Sequence, residues 1–120
     1  MKHSSVIIGL LTIVLISCSP ATEQSPSGTT IEEVLSTLYA VPAAELTIEK
    51  RQQVDRFMSG RVTIGNGPGG GVFYAVKQND LWIIAAHGNG LPECSELDPY
   101  GFPAEIAEVC LTEDGSVKER

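Results

Sequence analysis

Residues 71–87, "GVFYAVKQNDLWIIAAH", constrain the fold more than any other stretch of this 120-residue chain. Gly71–Lys77 and Leu81–His87 are rich in aromatic and β-branched residues, which suit a pleated, half-buried surface. Between them Gln78, Asn79 and Asp80 signal a tight turn, because Asn and Asp tolerate the left-handed backbone that a short hairpin demands. An antiparallel hairpin is predicted. Alternation places Trp82 and Ile84 on one face and Ile83 and Ala85 on the other.

Just upstream, Gly65, Gly67 and Gly70 spell G-x-G-x-x-G after the strand-like run Val62-Thr63-Ile64. In a dinucleotide fingerprint the third glycine opens a helix whose N-terminal amides hold the pyrophosphate. Here the chain runs into "VFYAVK", a strand pattern, and Pro68 removes one N–H from any phosphate cradle. Gly65–Gly71 therefore reads as a mobile loop between two antiparallel strands, and no nucleotide or other cofactor is expected.

"TTIEEVLSTLYAVP" carries the clearest helix signal. Thr30 and Glu33 have capping-box spacing, and Ile31, Val34, Leu35, Leu38 and Tyr39 form one apolar stripe that Pro42 ends near Ala40. Residues 45–58 are ambiguous. They have helical propensity, with Thr47 as cap and Gly60 as stop, but a poor apolar stripe. The alternation of Leu46 with Ile48, and of Val62 with Ile64, suits two strands turning near Gln52–Asp55. Further on, "GNGLPECSELDPYG" reads as loop and "FPAEIAEVC" as a short helix with Pro103 in its first turn, leaving residues 113–120 as a frayed polar tail.

The N-terminus states an address. Lys2 and His3 precede an apolar run from Val6 to Ile16, too short to cross a bilayer and shaped like a secretory signal. Leu15, Ile16 and Ser17 before Cys18 resemble the bacterial lipobox, which implies removal of residues 1–17 and a lipid on Cys18. Ser19 rather than Asp follows, so the resemblance implies the outer membrane, facing the periplasm, where a cell has two membranes. Residues 18–29 are small and polar and read as a flexible tether, followed by a single domain at 30–112. Cys94 and Cys110 then remain. Two cysteines in an exported chain pair most simply as a disulfide, and neither CxxC nor a nearby His suggests a redox pair or metal site.

A wider resemblance rests on Gly69–Gly71, Ala75, Lys77, Trp82, Gly88–Gly90, Cys94, Phe102–Pro103 and Cys110. In that order they resemble a pattern of small exported bacterial proteins and lipoproteins of unknown function, over about half the chain. The resemblance implies strands for the ambiguous segment. The expected fold is thus α+β: an N-terminal helix on a four-stranded antiparallel meander, with a short C-terminal helix tied by the disulfide. The alternative is two helices followed by a three-stranded sheet.

Charge narrows function. The chain carries 8 Lys+Arg against 15 Asp+Glu, and from Leu91 onward 8 acids face only Lys118 and Arg120. Nucleic acid needs a basic face and is excluded as a partner, whereas a protein with a basic surface is allowed. His87 is the sole histidine of the folded part. As a general base it needs a positioned acid, and Asp80 lies at the far end of the same strand. Glu93, in the following loop, is the nearer candidate. No G-x-S-x-G nucleophile elbow occurs, and Glu93, Glu96 and Asp98 lack EF-hand spacing. Tyr74 and Tyr100 are candidate binding anchors. The sequence therefore points to a non-catalytic, lipid-anchored binding module of the cell envelope, with no metal. The alternatives are a small hydrolase or ligand-binding enzyme using His87, or an inhibitor or immunity protein against an envelope toxin or lysozyme.

Overall fold

The computed structural model describes residues 26–120, so the lipobox, Cys18 and most of the tether lie outside the described residues. Helix α1 (Ile31–Tyr39) starts at Thr30, whose hydroxyl accepts the Glu33 N–H at 3.1 Å. The second half of the box is displaced by one residue. Glu33 reaches back to the N–H and hydroxyl of Thr29, at 3.0 and 2.7 Å. At the other end, Ala40 takes the left-handed conformation (φ 54°) that glycine usually supplies. The Val41 and Ala40 N–H groups close back on the carbonyls of Ser36 and Thr37, at 3.2 and 3.3 Å. The Ser36 hydroxyl donates to the Val41 carbonyl at 2.6 Å, locking this exit before Pro42.

After a 3-10 turn at Ala43–Glu45, strands β2 (Leu46–Val54) and β3 (Phe57–Ile64) pair antiparallel from Leu46↔Ile64 to Val54↔Phe57. The two-helix alternative is thereby ruled out. The run Glu49–Gln53 has helical propensity but no apolar stripe to bury as a helix, whereas a ladder places Leu46 and Ile48 against the core beneath α1. The turn falls at Asp55–Arg56, later than the alternation suggests, and a bulge lies between Lys50 and Gln52.

Strands β4 (Gly69–Gln78) and β5 (Leu81–Gly88) complete the expected meander. Asn79 and Asp80 are both left-handed (φ 49° and 62°), the signature of a type I′ turn. The glycine-rich loop is shorter than expected. Only Gly65–Pro68 turns, and Gly69–Gly71 already pair with Ile64, Thr63 and Val62. Gly70 is required there, since its φ is 108° and a Cβ would collide with the Val62 carbonyl oxygen.

A fifth strand goes beyond the expected four. β1 (Ser27–Gly28), within the stretch that reads as flexible tether, pairs with β5 through Ser27↔Ile83 and Gly28↔Trp82, giving the order β1-β5-β4-β3-β2. The Ile84 N–H donates to the Pro26 carbonyl at 3.2 Å, extending the contact by one bond. Gly28 suits the position: a Cβ there would lie 2.9 Å from the Val34 side chain of the incoming helix.

The sheet is covered on both faces. Ile31, Val34 and Leu35 of α1 pack on Met58, Val62, Phe73, Ala75, Trp82 and Ile84. On the other face Phe57, Val76 and Ala86 meet Leu97, Phe102, Ile106 and Cys110 of the C-terminal segment. That segment departs from expectation in its helix. The short helix α2 is Cys94–Leu97, followed by a 3-10 turn at Asp98–Tyr100, in the stretch that reads as loop. The expected helix at Phe102–Cys110 reduces to one turn, where the Ile106 and Ala107 N–H groups reach the Pro103 carbonyl at 3.0 and 3.1 Å. Local propensity loses because residues 109–111 find strand partners. β6 (Val109–Leu111) pairs with β7 (Val117–Glu119), so the expected frayed tail is the second arm of a hairpin. Cys94 and Cys110 are bridged, with Cα atoms 5.0 Å apart, joining α2 to β6. Arg120 fastens the other side, donating to the Phe102 carbonyl and the Asp98 carboxylate, each at 3.0 Å.

Candidate functional site

The end of β5 and the loop into α2 bring the sequence candidates together. Tyr74, His87, Leu91, Glu93 and Glu96 line a cavity of about 170 Å³, bounded by Gly88, Gly90 and the buried Pro92. The hairpin register explains part of this. Tyr74 lies opposite Ala86, one residue before His87, and β5 ends at Gly88, where the chain turns across the strand end. The isolated parallel bridge Glu93↔Leu111 and the Leu111 N–H donating to the Pro92 carbonyl at 2.8 Å fix the far wall.

His87 and Glu93, paired on sequence grounds, thus share one small cavity, and both are exposed. Glu96 is partly engaged, accepting the Glu93 N–H at 3.4 Å at the start of α2. Burial raises the Tyr74 phenol above its ordinary value, an effect the Arg51 charge partly offsets. The ring of Tyr39 meets His87 edge-on from α1, with centroids 6.0 Å apart. The Tyr39 hydroxyl is buried without a hydrogen-bond partner, and burial raises its pKa. Nothing in the sequence marks this contact, because α1 and β5 lie far apart in the chain and meet only where the helix packs on the sheet. Tyr100, the other candidate anchor, is half-buried and stands edge-on to Phe102 at 6.4 Å.

A wider hollow of about 480 Å³ lies beside the disulfide, lined by Glu93, Asp98, Glu113, Thr112 and Lys118. Of the three acids Glu93, Glu96 and Asp98 it collects Glu93 and Asp98, and Asp98 is shared with Arg120. A third, of about 350 Å³, runs along Gly69–Gly71 with Arg61, Thr63 and Asn89 on its sides. The glycines there are strand backbone with no helix behind them, which removes the geometry a pyrophosphate needs. Among the described residues, no three His, Cys, Asp or Glu side chains are grouped to hold a metal ion, and no helix is long and apolar enough to cross a membrane.

Compared with known proteins, the chain matches no family model, no curated protein and no solved structure.

Proposed function

We propose that the protein is a lipid-anchored component of the cell envelope whose domain is a non-catalytic binding module for a partner with a basic surface. The observation that carries this reading is the charge of the C-terminal cap. From Leu91 onward 8 acids stand against 2 bases, and the Arg120 guanidinium is already committed to Asp98 and a carbonyl. Glu105, Glu108 and Glu113 are all exposed on this cap, which the disulfide and the Arg120 contacts brace. Exposed carboxylates carried on a braced surface favour a cationic partner through complementarity, chiefly in association rate and selectivity. An inhibitor or immunity protein for a basic envelope enzyme is one form of this reading. The N-terminal lipid on Cys18 supplies membrane attachment. The test is capture of partners from solubilised envelopes by the full chain and by a Glu105→Lys/Glu108→Lys/Glu113→Lys variant. A salt-sensitive partner lost on charge reversal supports the reading, and a partner held equally by both chains overturns it.

A second reading rests on the shared cavity of His87 and Glu93: a small hydrolase in which His87 is the general base. His87→Ala then abolishes turnover in a substrate screen while leaving partner capture intact. Turnover unchanged by that substitution removes it.

A further inference from the structure

The chain has three asparagines, Asn66, Asn79 and Asn89, and two of them precede glycine. An Asn-Gly pair is chemically labile. The backbone nitrogen of the glycine attacks the Asn Cγ and a C–N bond forms. The Cγ–Nδ2 bond then breaks and ammonia leaves, taking up the proton from the attacking nitrogen. Water then opens the resulting succinimide to aspartate or to isoaspartate, in which the chain runs through the side-chain carbon. Glycine favours the attack because it has no Cβ to shield its nitrogen. The reaction also requires an Asn side chain free to rotate towards the next peptide group, so folding decides which pair reacts.

The two pairs differ in this respect. Asn66 and Gly67 are exposed in the Gly65–Pro68 turn, and a Cβ on Gly65 or Gly67 would meet no atom within 4 Å; the same holds for Gly88 and Gly90 around Asn89, so the difference lies in the asparagine side chains. Asn89 is also exposed, but its Oδ1 lies against the backbone of β4, 3.3 Å from where a Gly71 Cβ would be. It forms a wall of the hollow along Gly69–Gly71. Asn79 sits left-handed in the type I′ turn and is followed by Asp80, whose Cβ shields the nucleophile. We propose that Asn66 is a site of spontaneous succinimide formation in the folded protein, modified ahead of Asn89 although both precede glycine. The product places a new negative charge, and in the isoaspartyl form an extra backbone carbon, in the turn that joins β3 to β4.

The experiment uses the full chain held in mildly alkaline buffer, then reduced, digested with trypsin and mapped by mass spectrometry. Cleavage after Arg61 and Lys77 isolates Asn66 on peptide 62–77, while Asn79 and Asn89 fall together on peptide 78–118, where fragmentation separates them. Folded protein is expected to gain one mass unit on peptide 62–77 several-fold faster than at Asn89, with isoaspartate the major product. In denaturant the Asn89 rate is expected to rise towards that of Asn66. Gly67→Ala, which the open surroundings accommodate, is expected to slow Asn66 at least several-fold without altering the fold. Equal rates at Asn66 and Asn89 in the folded protein, or a rate at Asn66 indifferent to Gly67→Ala, overturn the proposal.

Discussion

Glu33 grips Thr29 through both its N–H and its hydroxyl, at 3.0 and 2.7 Å, joining the first turn of α1 to the residue that follows strand β1. The helix start and the sheet edge therefore share a fastening. The Thr29 hydroxyl bond, followed by its backbone bond, holds the Glu33 carboxyl below its ordinary 4.5. A depressed folded pKa contributes stability above the unfolded value, and that contribution disappears as pH falls through the folded one. Glu33→Gln is expected to lower the melting temperature at neutral pH, with the difference from wild type vanishing in acid. Thr30→Ala removes an uncharged cap instead, and its loss of about 1 kcal/mol is expected at every pH. Paired thermal melts across pH separate the two.

The bridged cysteines Cys94 and Cys110 are 16 residues apart in the chain. Removing a bridge that closes a loop of this size is expected to cost about 3 kcal/mol. Amide exchange of a Cys94→Ser/Cys110→Ser variant should show protection lost first in α2 and β6, with β3 and β4 retained. Uniform loss across both cores would contradict the division into two packed faces.

Gly70→Ala and Gly67→Ala make an internal control within one hairpin. Gly70 is left-handed against the Val62 carbonyl, whereas Gly67 has open space around it. The first is expected to destabilise by about 2–4 kcal/mol and the second to stay within about 0.5 kcal/mol. Urea titration of the two variants measures the contrast.

Asp114 accepts from the Thr112 hydroxyl and, at 3.0 Å, from the Ser116 N–H, in the turn that returns β6 to β7. The Thr112 bond is the main cause of a pKa lowered from 3.8 to about 2. Its stabilising effect is full above the ordinary value and is lost as pH falls towards 2. Carbon-detected NMR titration should find that low value in wild type and a return towards 3.8 in Thr112→Val.

The parts of the fold legible in the sequence are those whose signals are local. Thr30, the apolar stripe of α1 and Pro42 fix one helix, and Asn79-Asp80 between two β-rich runs fixes the β4–β5 hairpin. The disulfide follows from cysteine count and context, and the structure contains it. The parts that are not legible depend on partners far away in sequence. Ser27–Gly28 is a strand only because β5 offers an open edge, and Val109–Leu111 leaves a helical pattern because β7 returns beside it. At the candidate site, Glu93 is legible as the acid nearest His87, and the two share a cavity. Tyr39 is legible only as a core residue of α1. Its edge-on contact with His87 depends on where α1 lies on the sheet.

The pairing of Ser27–Gly28 with β5 also sets a length. If Cys18 carries the proposed lipid, about eight residues separate it from the Pro26 carbonyl that meets Ile84, a separation of at most roughly 27 Å. The domain would then search a shell about one small-domain diameter deep, in which molecules held at the same bilayer are met at the high effective concentrations of tethered pairs. A partner standing farther from that bilayer would have to come to it.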